Sequence, residues 1–136
     1  MDGLLYAAIS NNMANGMGTF WKPYISDSLF PEFYEHPPLA IGLQSLWFRL
    51  FGDSILVERF YSLFTYLLIG IGIVGVWKQL GKSVKSGWIP LFFWLMVSNV
   101  IWAVSNGMLE NTMAIFIMFS AWSYLKAINK NNTIFQ

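Results

Sequence analysis

The chain opens with two short apolar periodicities and then becomes nearly continuous hydrophobic sequence. In residues 3–15, Leu5, Ala8, Ile9 and Met13 recur at helical spacing while Ser10, Asn11, Asn12 and Asn15 take other positions. This predicts a short helix able to lie at an interface, stopped by Gly16. From Gly16 to His36, Gly, Pro, Asp and Ser mix with Phe20, Trp21, Tyr24, Phe30, Phe33 and Tyr34, the pattern of an ordered loop anchored by aromatics at headgroup depth. A second helix is expected over Leu39–Phe51. Its 13 residues would reach about 20 Å, short of a hydrocarbon core roughly 30 Å thick. Gly42, Ser45 and Arg49 form a narrow polar stripe on it, so it is expected to lie along the surface. Gly52-Asp53-Ser54 breaks that helix and caps the next, with Glu58 in the favourable first turn.

Three longer runs follow. Ile55–Trp77 has no charge after Arg59, and Trp88–Ser105 and Asn111–Leu125 have none; each is expected to cross a bilayer with its flanking residues. The predicted class is therefore all-α: an integral-membrane helical-bundle fragment with three transmembrane helices (about 55–77, 88–105 and 108–126) and two short juxtamembrane helices. Residues 1–54 form an extracytoplasmic loop, 55–128 the spans and 129–136 a polar tail.

Composition supports a membrane protein, with 56% hydrophobic, 18% aromatic and only 11% charged residues, where soluble domains average about 25% charged. The net charge of +1 and the scattered lysines give no footprint for nucleic acid. Without cysteine the chain forms neither a disulfide nor a thiolate metal site. Met1-Asp2 begins without the basic region of a signal peptide, and a segment upstream is expected. Charge placement fixes the expected topology. If 39–51 does not cross, Lys78, Lys82, Lys85, Lys126 and Lys130 share the inner side and all the acids lie outside. If it did cross, Glu35 and Glu110 would part and the asymmetry would collapse. Asn131-Asn132-Thr133 matches a glycosylation acceptor but falls on the inner side.

Candidate chemistry then gathers on the outer face. Glu35 and His36 precede Pro37-Pro38, which suit the first turn of a helix. A helix N-terminus attracts a phosphate, and His36 supplies a donor where the prolines have none. His36 is the single histidine, so Glu35 is at most one ligand of a metal ion; a solvated helix cap is the alternative reading of this pair. Glu110 opens the last span, where the helix dipole favours a carboxylate with or without a function, and Asp2 equally suits a cap of the first helix. Glu58-Arg59 is expected to be an interfacial pair or anchor. No span carries a charge near its middle, which weakens a transporter reading; the alternative function is a non-enzymatic transporter or structural membrane subunit, with the same carboxylates as caps and anchors.

Asp2-Gly3-Leu4-Leu5-Tyr6-Ala7, Phe33-Tyr34-Glu35-His36-Pro37-Pro38-Leu39, Leu50-Phe51-Gly52-Asp53 and Met108-Leu109-Glu110-Asn111, in this order, resemble the polytopic glycosyltransferase family 39. That family includes protein O-mannosyltransferases and lipid A aminoarabinose transferases of the GT-C superfamily. The resemblance implies transfer of a sugar, with inversion, from a polyprenyl-phosphate-linked donor to a lipid, glycan or protein hydroxyl. It further implies a site outside the cytoplasm, in the bacterial inner (plasma) membrane and among its lipids. It assigns Asp2 as catalytic base, Glu110 as a second catalytic acid residue, His36 to the donor phosphate, and Glu35 to substrate binding and a divalent metal ion, the one cofactor it suggests. Gly3 stands where the family often has Glu, His36 where it often has Lys, and Glu110 where Asp is commoner. Family members are several times longer, so the chain is expected to be a piece of one, without activity in isolation.

Overall fold

The computed structural model describes residues 2–28 and 31–132, and the side chains of all of these except 131 and 132. Phe30, and residues 133–136 with Thr133 of the acceptor motif, lie outside the described residues. The protein is mostly helical.

Helix α1 (Asp2–Ala14) forms where the apolar spacing predicts it. Gly16 ends it at φ 81°, a left-handed turn that lets the Met17 N–H reach back to the Asn12 carbonyl at 2.9 Å. The segment that follows is more regular than the expected loop. Strands β1 (Gly18–Thr19) and β2 (Lys22–Pro23) pair antiparallel, and Tyr24 bridges Glu32. Asn12 Nδ2 ties this hairpin to α1 by donating to the Tyr24 and Ile25 carbonyls at 3.2 and 3.0 Å.

Helix α2 (Pro38–Phe51) starts on its prolines and ends at Gly52, φ 86°. It packs along α1 through a buried polar contact, Ser10 Oγ donating to Gln44 Oε1 at 2.9 Å. The polar stripe of α2 is partly a packing face. Phe20 covers Gly42, where a Cβ would meet its ring at 2.7 Å, and Ser45 is buried with its hydroxyl on the Gly42 carbonyl.

Helix α3 (Ile55–Gln79) is capped by Ser54, whose Oγ accepts the Leu56 N–H. A 3-10 turn (Val84–Ser86) leads into α4 (Trp88–Leu95), then α5 (Ser98–Ser105) and α6 (Glu110–Asn132). Helices α3 and α6 run parallel in close contact. Tyr61 OH meets Thr112 Oγ1 at 2.7 Å near their starts, and Asn129 Nδ2 donates to the Gln79 carbonyl at 2.7 Å near their ends. Between these ties Gly72 and Gly75 let α6 approach: added Cβ atoms would meet Met118 Cβ at 2.8 Å and the Trp122 ring at 2.5 Å.

The expected straight span over 88–105 is instead two helices bent by 79°. The break falls at Met96-Val97, where Val97 turns extended (φ −76°, ψ 109°) and its carbonyl accepts the N–H groups of Val100 and Ile101 to start a new helix. Stacking of Trp94 on Tyr66, centroids 4.3 Å apart, holds α4 on α3, while α5 turns to meet the start of α6. Among the described residues α3 alone is long and apolar enough to cross a membrane unaided; the bent pair qualifies only if counted as one span. The 23 residues of α6 have the length of a span, roughly 35 Å, but Asn111, Thr112, Ser120, Ser123 and Lys126 dilute its apolar character. The three uniform spans expected over 55–128 are thus one clear candidate, one broken helix and one long helix of mixed character.

The main buried cluster lies beside the N-terminal end of α6. Tyr6, Ile9, Phe33, Ala40, Ile41, Met108 and Leu109 form one cluster there, which fastens α1, α2 and the hairpin to the turn before α6.

Candidate active site

That cluster brings the segments bearing Asp2, Glu35, His36 and Glu110 to one place. The prolines after His36 start α2, so His36 is presented at its N-terminus against α1. Its Nε2 lies 3.1 Å from the Tyr6 hydroxyl. Phe33 stacks on the imidazole, centroids 5.8 Å apart and planes 10° from parallel, and Tyr6 closes the group at 5.1 Å from His36. His36 Nδ1 is buried without a hydrogen-bond partner among the described residues. When the phenol donates to Nε2, the neutral ring carries its proton on Nδ1 and holds an unused donor.

Tyr6 is the centre of the group. Burial raises the pKa of its phenol first, and the negative charges of Glu110, Asp2 and Glu35 add to the effect in that order. Three carboxylates from α6, α1 and the loop before α2 therefore act on one hydroxyl. Tyr6 escapes sequence reasoning because a tyrosine in register with Ile9 and Met13 on an apolar helix face looks like a core residue. Its spacing to the acids is visible only in the fold.

Glu110 is exposed in the first turn of α6 and lines a cavity of about 640 Å³ with Trp94, Asn99, Trp102 and Asn111. Asn111 Nδ2 is buried with no partner among the described residues. A second, mostly apolar cavity of about 270 Å³ lies under His36, walled by Leu39, Leu109, Met113 and Phe116. Asp2 and Glu35 are exposed.

The residue after Asp2 has no room for a side chain. A Cβ on Gly3 would lie 1.5 Å from the Asn106 carbonyl oxygen, so α1 rests its backbone on the α5–α6 turn and leaves no room for a side chain. The metal expectation fits less well. Among the described residues no three of His, Asp and Glu gather to hold an ion, and Glu35 alone makes no cage. Glu58, expected as an interfacial anchor, is buried, its side chain 2% exposed. Arg59 keeps the expected pairing, 4.0 Å from Glu58 Oε1, and also donates to the Ser105 carbonyl.

The chain matches no family model, no curated protein and no solved structure.

Proposed function

We propose that this chain is the donor-facing part of a membrane glycosyltransferase that moves a sugar from a polyprenyl-phosphate-linked donor to a hydroxyl acceptor. The observation that carries the reading is the Tyr6–His36 contact where α1 meets the start of α2, supported by the charges of Glu110, Asp2 and Glu35 that add to burial in raising the Tyr6 pKa. In this reading Asp2 takes the proton of the acceptor hydroxyl, whose oxygen attacks the anomeric carbon from the face opposite the phosphate. The bond between that carbon and the phosphate oxygen breaks, and polyprenyl phosphate leaves with the electron pair. His36 donates to the leaving phosphate, with Tyr6 fixing the ring. Glu110 assists Asp2 electrostatically, and the apolar cavity under His36 receives the first units of the lipid. Glu35 adds charge near Tyr6.

The membrane placement is supported by the parallel run of α3 and α6. In this reading the bent pair α4 and α5 serves as the inward-to-outward return between the end of α3 and the start of α6. Lys78, Lys126 and Lys130 then lie in the C-terminal turns of α3 and α6 and Lys82 and Lys85 just past α3, as an inner face requires. Helices α1 and α2 rest on the outer leaflet.

In the full-length parent, incubation with radiolabelled polyprenyl-phosphate sugar measures release of free polyprenyl phosphate. Asp2→Asn is expected to abolish release while leaving insertion intact, and unchanged turnover rejects the assignment. For this chain alone, a photoreactive polyprenyl phosphate is expected to label the segments around His36 and Leu109, and labelling spread evenly over α3–α6 counts against the site.

A further inference from the structure

The second half of α3 forms the floor of a groove of about 650 Å³, which runs from Tyr66 past Gly70 and Val74 to Lys78. Residues four apart share a helix face. Leu91 and Leu95 of α4 and Trp122 of α6 contribute its walls, and Tyr66 stacked on Trp94 at 4.3 Å closes the deep end. The groove stays open because α4 is only eight residues long before α5 leaves at 79°. Gly70 adds to the space, since a Cβ there would meet only Leu91 and Trp94, at the ordinary contact distances of 3.6 and 3.7 Å. Lys78, the one charged residue lining the groove among the described residues, is exposed at the end of α3. Val84 lines it too, so the turn carrying Lys82 and Lys85 stands at the same mouth. None of these three lysines forms an ion pair among the described residues, and Glu58 and Glu110 sit in the first turns of α3 and α6, at the other end.

Length and charge together select the occupant. Tyr66 lies at the middle of α3 and Lys78 at its end, twelve positions apart, which is about 18 Å of helix. The hydrocarbon of one leaflet, half of the bilayer core, is roughly 15 Å deep. The groove is thus apolar over the depth of one leaflet and positive where that leaflet's headgroups begin. A lipid with a net negative headgroup matches both ends, whereas a zwitterionic one brings its own ammonium to the lysines. We propose that the groove binds an anionic phospholipid of the inner leaflet, with one acyl chain along α3 and the phosphate at Lys78. The inference rests on the membrane placement proposed above and is independent of the transfer reaction, whose site lies at the opposite end of α6.

The test uses the full chain in nanodiscs of equal parts phosphatidylglycerol and phosphatidylcholine, with native mass spectrometry reading what stays on the released protein. Phosphatidylglycerol is expected to be retained about fivefold over phosphatidylcholine, the equivalent of about 1 kcal/mol from one lysine at the membrane surface. Lys78→Gln, at an exposed position, is expected to bring the ratio close to one. Gly70→Leu fills the groove beside Leu91 and Trp94, keeps every lysine and is expected to remove retention of both lipids; Lys78→Gln decides alone if this variant fails to insert. Equal retention of the two lipids by the wild type overturns the proposal. So does a preference that survives Lys78→Gln, or one that survives Gly70→Leu and so belongs to diffuse attraction by the lysine face. Displacement of the lipid by free glycerol phosphate overturns it as well, as does a dimer that Gly70→Leu dissolves while lipid retention holds, which gives the groove to a second copy. Failure of the wild type to insert overturns the membrane placement too, whereas insertion without the preference overturns the lipid site alone.

Discussion

Removing one oxygen from Tyr6 tests the centre of the proposed site. Tyr6→Phe keeps the ring that packs on Phe33 and His36, so the apolar contacts of the cluster survive. It deletes the 3.1 Å contact to His36 Nε2. Because Nδ1 already lacks a partner among the described residues, the variant leaves both ring nitrogens unsatisfied in a partly buried place. A buried polar atom left without its partner costs about 1–3 kcal/mol, and the exposure of part of the His36 ring argues for about 1.5 kcal/mol. The pH profile adds a second signature. The Tyr6 pKa is raised by burial and then by Glu110, Asp2 and Glu35, so the folded state holds the phenolic proton more tightly than the unfolded state. This contribution is fully present below the ordinary phenol pKa of about 10 and is lost as pH rises through the higher folded value. The gap between wild type and Tyr6→Phe should therefore be constant at neutral pH and shrink above pH ~10. Thermal melts in detergent micelles, followed by circular dichroism from pH 7 to 11, measure both. A change below about 0.5 kcal/mol at pH 7, or a gap that does not narrow in alkali, refutes the assignment of Tyr6 as the buried hub of the three carboxylates.

Three further outcomes are expected. Gly75→Ala should destabilise by about 1–2 kcal/mol, since crowding of the Trp122 ring outweighs the gain in helix propensity; a melt that rises instead would show that α3 and α6 do not approach as described. Gly3→Glu should cost at least about 2 kcal/mol through its collision with the Asn106 carbonyl, read in the same assay, and a neutral effect would place α1 elsewhere. Single cysteines introduced at Glu35 and Glu110 should both react with an impermeant maleimide from the same side of sealed vesicles; labelling from opposite sides would dismantle the site and the topology together.

The legible parts of the fold are those set by local chemistry. Gly16, Pro37-Pro38, Gly52 and Ser54 punctuate the chain because each fixes a backbone conformation or satisfies an orphaned amide whatever lies around it, and the helices begin and end beside them. The length of Leu39–Phe51 likewise announced a helix too short to cross. Glu35, His36 and Glu110 could be singled out because charged and polar groups at the edge of apolar runs stand out against their surroundings.

Whatever depended on neighbours distant in sequence was hidden. The 79° bend at Met96-Val97 has no proline or glycine to mark it; it follows from α4 packing on Tyr66 and α5 turning to the start of α6. The hub role of Tyr6 and the burial of Glu58 were equally invisible, because a side chain's surroundings in a helical bundle come from other helices. Sequence alone determined where segments are helical and which carry charge, since those properties are settled within a few residues. Only the tertiary structure decided which of those segments meet, because that depends on how α3 and α6 run side by side and on the small residues, Gly3, Gly72 and Gly75, that let backbones come close.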